Sequence, residues 1–254
     1  MNDPGYERTA FVPDLHAPHI NEQAFSCAIA FLRLFKPHHV FIMGDVVDFY
    51  QVSRFNKDPL RLNGLQEDLD AGNAALKRIR QACPRDAKMV MLEGNHEARI
   101  TKFLRSTAPV LESIRNLQVP ELLSLGEFDI DYVPSGVTRH HGFIVKHGNI
   151  VSNKSGYTAY REMDKAGISG ISAHTHRLGQ VYRTNYGGMY TWVEAGCLCD
   201  DDPEYISGVA DWQHGMAYGY WRTGDERFTV HTLPIINGRA VYGGREVGAP
   251  RVKK

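Results

Sequence analysis

HHVFIMGDVVDF, residues 38–49, passes from an apolar run to a polar cluster within a single step, and that switch decides how the chain is read. Val40, Phe41 and Ile42 are the β-branched and aromatic residues of a buried strand, whereas Gly44, Asp45 and Asp48 belong to a loop at its end. The same sequence of events occurs on either side. TAFVP (9–13) runs into Asp14-Leu15-His16, and KMVMLE (88–93) runs into Gly94-Asn95-His96-Glu97. Helical spacing fills the gaps: Asn21 can cap a helix carrying Phe25, Ala28, Ile29, Leu32 and Phe35, which Pro37 stops. From Asn63 to Ala82, Leu65, Leu69, Leu76 and Ile79 share a stripe closed off by Pro84. Three buried strands joined by two helices imply right-handed crossovers and a largely parallel sheet, with the polar clusters gathered along one edge.

After Glu97 the pattern is helical to about residue 125, with breaks expected at Pro109 and Pro120 and a role as cover or rim of a site. Strand signals then dominate: DIDYV, GFIVKHG and GISGISAHTH, with a helix from Ser155 to Lys165. Two hairpins follow, YRTNYGGMYTWVEAG and MAYGYWRTGDERFTVHTL, and both are expected to finish a second, mixed sheet. The expected organisation is one α/β domain over residues 1–242 and a frayed tail over 243–254.

Lys plus Arg and Asp plus Glu each count 29, so net charge points to no nucleic acid and no polybasic partner, although a local basic groove is compatible with it. The opening residues are polar and no apolar run reaches membrane-spanning length, which gives the expectation of a cytoplasmic protein without a membrane partner. Cys27, Cys83, Cys197 and Cys199 are scattered as reduced thiols are; the CxC at 197–199 lacks the second pair a cysteine metal site needs. Twelve histidines, several beside Asp, Asn or Gly after apolar runs, point to metal instead. Residues two apart on a strand face one way, so Asp14 with His16, and His174 with His176, can each offer two ligands from one strand end. Carboxylate, amide oxygen and imidazole suit Mn, Fe, Zn or Ni rather than a thiolate-selected ion.

Each cluster alone has an ordinary structural use, as a turn, a helix cap or a satisfied histidine. Together and in order, DLH (14–16), GDVVD (44–48), GNHE (94–97), HG (147–148) and HTH (174–176) resemble the signature of the calcineurin-like metallophosphoesterase superfamily. The resemblance implies a four-layer α/β fold, two mixed β-sheets in a sandwich flanked by helices. It also implies two divalent cations, manganese first, with Fe, Zn, Ni or Mg as alternatives, and hydrolysis of phosphate esters by a metal-bridging hydroxide. Carried over by position, Asp14, His16, Asp45 and His176 hold one ion, and Asp45, Asn95, His147 and His174 the other. His96 matches the catalytic histidine and Asp48 the acid that orients it; Asn95, His96 and Arg99 are the candidate substrate contacts. Ala173 stands where the family usually has Gly, and Phe49 follows Asp48 where the protein Ser/Thr phosphatase branch has an arginine.

Without that arginine, small phosphodiesters are expected to be hydrolysed at least as well as monoesters. The alternatives are a phosphomonoesterase, a nuclease using Arg99, Lys102 and Arg105 against a phosphate chain, or an inactive scaffold, which should have lost ligands that this chain keeps. A small-molecule or nucleotide phosphoester is the expected partner. Tyr186 and Tyr190 are candidates for stacking on a flat leaving group, and His19, Asn153 and Lys154 lie near the motifs. His38, His39, His140 and His141 match no motif position and read as structural or solvated.

Overall fold

The computed structural model describes residues 5–54, 56–57, 64–200, 210–225 and 227–248. The three strands read from the sequence are β1 (Tyr6–Val12), β2 (His39–Ile42) and β3 (Lys88–Leu92), linked by α1 (Glu22–Phe35) and α2 (Leu65–Ala82). Asn63, the expected start of the second helix, lies outside the described residues. Asn21 caps α1 as expected, its side-chain oxygen accepting from the Ala24 N–H at 3.0 Å, and Lys36 ends it in a left-handed conformation. Past α3 (Glu97–Thr107), single turns lead to α4 (Val119–Leu122) and then β4 (Ile130–Val133). Pro120 does not break this stretch: it sits in the first turn of α4, where its missing N–H costs nothing.

The second half supplies β5 (Val137–His140), β6 (Phe143–Lys146), α5 (Tyr157–Ala166), β7 (Gly170–Ser172), β8 (Leu178–Asn185), β9 (Gly188–Ala195), β10 (Gly215–Arg222) and β11 (Phe228–Pro234). One sheet has the order β11-β10-β1-β2-β3-β4 and the other β5-β6-β7-β9-β8. Here the expectation for the last hairpin fails. β10 and β11 do not join β8 and β9; β10 pairs antiparallel with the open side of β1, Tyr6 opposite Arg222 through Phe11 opposite Ala217. β1 would otherwise expose an unpaired backbone edge, and the hairpin covers it. The expected fraying of residues 243–248 is also corrected. β12 (Arg239–Tyr242) and β13 (Arg245–Gly248) form a hairpin, with Ala240 and Val247 buried and the Val247 carbonyl accepting from the Cys27 thiol of α1. Residues 249–254 of the expected tail lie outside the described residues.

Side-chain alternation builds four layers. Ala10, Val12, Val40 and Ile42 face α1 and α2, whose Phe25, Phe31, Leu32, Leu69, Leu76 and Ile79 complete one core. Phe11, Phe41 and Met43 face the other way and meet Phe143, Val145, Ile171 and Val193 between the sheets. Ala159 and Met163 of α5 cover Trp192 on the far side. Phe11 stacks on Phe41 at 5.6 Å, and cutting such a buried ring to alanine costs about 3–5 kcal/mol. Parallel β1, β2 and β3 all end at one edge, which fixes where their loops meet. No helix among the described residues is long and apolar enough to cross a membrane.

Candidate metal centre

The loops after β1, β2, β3, β6 and β7 converge on Asp45. Gly44 (φ +96°) and Gly94 permit the approach: a Cβ on Gly44 would lie 2.7 Å from the Gly94 nitrogen, and one on Gly94 would lie 2.1 Å from Asp45 Oδ1. Five of the ten non-glycine residues with positive φ among those described belong to these loops: His16, Asp45, Phe49, His174 and His176. Such conformations persist only where surrounding contacts impose them. Two buried carboxylates that sequence reading did not single out provide those contacts. Glu97 accepts from the backbone N–H groups of Asp45 (2.8 Å), Val46 (2.8 Å), Val47 (3.3 Å) and Gly94 (2.9 Å), tying the second loop to the third. Glu194 accepts from Gly156 N–H (2.6 Å) and Thr175 Oγ (2.8 Å), which anchors the turn between His174 and His176. The last position of GNHE was the available signal for Glu97; nothing local marks Glu194.

Every expected ligand lies in this cluster. Donor atoms of Asp45, His16 and His96 form one close group, and those of Asp45, His147 and His174 another, so Asp45 is common to both. His147 donates from Nδ1 to the Met43 carbonyl (2.9 Å), which in the neutral ring leaves Nε2 as a bare lone pair. That nitrogen faces Asn95 Oδ1 at 3.0 Å and Asp45 Oδ2 at 3.3 Å. Three acceptors converging in this way require a proton or a cation between them. His16 Nε2 and His176 Nε2 stand 3.0 Å apart, the spacing of two donors that share an ion at bond lengths of about 2.0–2.1 Å. Asp14 is fully buried, accepts from the His174 N–H at 3.1 Å and lies 3.9 Å from His147 Nδ1. Cys199, dismissed on the sequence, has its Sγ 3.9 Å from His176 Nδ1 and forms a further donor group with His16 and His176.

Electrostatics agree with the donor chemistry. Burial opposes ionisation of Asp45, but His147, His96 and His16 outweigh it and hold the carboxyl well below its usual range. Burial likewise opposes charging His147, yet Asp45 and Asp14 lift it to about 10, so the centre demands a positive charge. Burial and neighbouring imidazoles keep His16, His174 and His176 in the neutral form that ligates, His174 being lowered to about 4. The residues fit two cations sharing Asp45.

His96 stands at the start of α3, its N–H donating to Asp45 Oδ1 (2.9 Å) and its ring Nδ1 lying 2.8 Å from Asp48 Oδ1 and 2.8 Å from the Asp48 carbonyl. Arg99 donates to His96 Nε2 (3.0 Å) and to the Asp48 carbonyl (2.7 Å). A cleft of about 570 Å³ opens beside Asn95, lined by Val52, Arg54, Arg99, Lys102 and Phe103. Arg105 is absent from that lining and pairs with Glu112 (2.7 Å), so the basic row of α3 divides. Tyr186 and Tyr190 do not line it either. Tyr186 is fully exposed at the β8–β9 turn, and Tyr190 belongs to another cavity with Tyr182, Tyr220 and Phe228. His19, Asn153 and Lys154 are exposed. His38 accepts from the Arg8 N–H at 2.9 Å, a structural role as read from the sequence.

The profile of the calcineurin-like phosphoesterase family matches residues 7–222. The chain belongs to that family. Similar in sequence to this chain are the Gene 54 proteins of Mycobacterium phages L5 and D29, 28% and 27% identical over 94% of this chain and 98% and 97% of theirs. Among solved structures, Vps29 of Chaetomium thermophilum aligns over 98% of this chain and 97% of its own, at 11% identity and a TM-score of 0.44. A Vps29 mutant of Entamoeba histolytica aligns over 96% and 99%, at 12% identity and 0.43.

Proposed function

We propose that this calcineurin-like phosphoesterase hydrolyses phosphate esters at a two-cation centre, with small diesters turned over at least as well as monoesters. The observation that carries the reading is the Asp45 carboxylate, shared by the donor groups on either side of it. Asp14, His16, Asp45 and His176 would hold one ion, and Asp45, Asn95, His147 and His174 the other; mixed oxygen and imidazole donors are compatible with manganese and equally with Fe, Zn, Ni or Mg. Such ions supply positive charge against the phosphoryl oxygens and lower the pKa of the attacking water from about 15.7 toward 7.

The protein's own groups do the rest. Burial works against charging His96, but Asp45 and Asp48 outweigh it and raise the ring's pKa, so His96 is ready to give a proton to the leaving oxygen as its bond to phosphorus breaks. Asp48 keeps the ring oriented through the 2.8 Å contact to Nδ1. Arg99 would exchange its bond to His96 Nε2 for a phosphoryl oxygen, freeing Nε2 to take up the proton that it then gives to the leaving oxygen.

The diester preference follows from what surrounds the cleft. Phe49 is buried and offers no charge; Arg177 is engaged by Thr175 and Asp211, and Arg183 pairs with Asp164. The cleft beside Asn95 carries three basic side chains, Arg54, Arg99 and Lys102, which can meet a terminal phosphate, so the diester reading rests on the absence of an arginine at Phe49 and on the room the cleft leaves for a second ester group. A panel of matched aryl phosphomonoesters and diesters, run with Mn, Ni, Mg and Zn and with Asp45→Asn as control, should give kcat/KM for the diester at least equal to the monoester and no turnover in the variant. A roughly tenfold preference for the monoester across metals would overturn the diester reading.

A further inference from the structure

A second set of imidazoles meets at the other end of the sheets. Glu7 and Thr9 on β1 and His39 on β2 share the face that looks toward the second sheet, since Thr9 and His39 are partners in register. They lie where those strands begin, whereas Asp14 and Asp45 follow where they end. The β5–β6 hairpin of the second sheet brings His140 and His141 to the same place, because its turn at His141 and Gly142 is at the opposite end of β6 from His147. His141 Nε2 lies 2.9 Å from Glu7 Oε2, and His39 Nε2 lies 3.2 Å from the same oxygen. The His140 ring is 4.8 Å from that of His39 and 4.5 Å from that of His141, centroid to centroid. One donor atom each of Glu7, His140 and His141 fits within 4.8 Å.

We propose that Glu7, His140 and His141, completed by His39, form a structural zinc site that fastens the two sheets together at the end remote from the strand-end loops. Three imidazole nitrogens and one carboxylate oxygen make a four-donor set of the kind zinc takes with tetrahedral geometry. The outer contacts are those of a ligand cluster. Thr9 Oγ meets His140 Nε2 at 2.9 Å, fixing the orientation of a ring that is 7% exposed and also packs edge-on against Trp221 at 4.8 Å. His141 holds φ +47° before Gly142 at +80°, a turn in which Asn or Gly is the comfortable choice, and that conformation turns the imidazole back toward Glu7. Burial opposes ionisation of Glu7, but the hydrogen bond from His141 outweighs it and holds the carboxyl below its usual range, while burial lowers His39 and His140. Lys88, opposite His39 on β3, opposes binding and sets a limit on affinity. Zinc here would join β1 and β2 to β5 and β6, segments at least 95 residues apart that are otherwise held at this end by the Thr9–His140 contact and packing.

The test is zinc stoichiometry of chelator-stripped protein titrated with ZnCl2, in the wild-type chain and in the Asp45→Asn background. The site predicts that His141→Gln, and separately Glu7→Gln with His39→Gln, lower bound zinc by one ion per chain in both backgrounds and weaken the remaining affinity there at least about tenfold. Turnover of a phosphoester by the manganese-loaded enzyme should be unchanged, and the zinc-dependent rise in Tm should vanish. Because the difference is read within each background, failure of the two-cation centre would alter both counts equally and leave this comparison intact. His141 sits at an exposed turn, so its variant is the one that keeps the fold. Zinc-edge X-ray absorption of the Asp45→Asn protein gives a second reading: a shell of three imidazoles and one oxygen supports the site. Equal zinc counts in parent and variants, or a shell with fewer than three imidazoles, would overturn it.

Discussion

The two ends of the sheet sandwich use the same side chains to different effect. At the ends of β1, β2 and β3, imidazoles and carboxylates are buried on loops with left-handed backbone, and Glu97 holds those loops through backbone N–H groups and Glu194 through the Thr175 hydroxyl. At the beginnings of β1 and β2, His39 and His141 meet the single carboxylate of Glu7 with His140 beside them on Thr9, and His141 and Glu7 remain partly exposed. Concentrated negative charge at the first end forces a proton onto His147 when no cation is present; at the second, burial keeps His39 and His140 without one. Charge density and imposed backbone strain, rather than the number of histidines, distinguish a centre suited to chemistry from one suited to fastening.

That contrast can be broken most sharply at His96. His96→Ala should keep the metal content of the strand-end centre and lose about 10²–10⁴-fold in kcat, the usual cost of removing a general acid. If the variant instead loses a metal ion while the remainder turns over normally, His96 is a ligand of the His16–Asp45 group and the role assigned to Asn95 changes with it. Next in size is Glu97→Gln, which leaves a neutral amide to face four N–H donors. Manganese affinity measured by calorimetry should fall about 10–100-fold, as for other groups that orient ligands from behind. An unchanged affinity would mean that the strained loops hold themselves.

A smaller effect separates the ends by their protons. Without a cation His147 carries a proton that a ligating His147 must release, so acid favours the empty form and affinity weakens as pH falls below about 10. Manganese uptake near neutral pH, followed calorimetrically in buffers of different ionisation heat, should release close to one proton per chain from this residue, and His147→Gln should abolish that release. Zinc uptake at Glu7 should draw none from His39 or His140. Equal proton release at both ends would contradict the electrostatic distinction.

How much of this was legible depended on whether the cause was local. The strand-end clusters could be read because each follows its own apolar run, and a parallel sheet then has one edge at which to collect them. Glu97 was visible only as the last letter of a motif, since three of its four backbone partners lie 50 to 52 residues away. His39, His140 and His141 read only as structural or solvated because their meeting depends on two sheets facing each other, which no spacing along the chain encodes. For the same reason the β10–β11 hairpin was recognised but assigned to the wrong sheet: alternation defines a strand's faces, while the choice of neighbour is made by which edge lacks a partner. Ala240 and Val247 anchor too short a hairpin to show a period, so its second strand, past residue 242, read as a tail.

The shared position of Asp45 is the central claim, and anomalous diffraction at the manganese edge from manganese-soaked crystals tests it most directly. The expected result is two peaks, both within bonding distance of the Asp45 carboxylate, one reached by His16 and His176 and the other by Asn95, His147 and His174. No peak at the strand-end loops, or a single peak that Asp45 does not touch, would contradict the account.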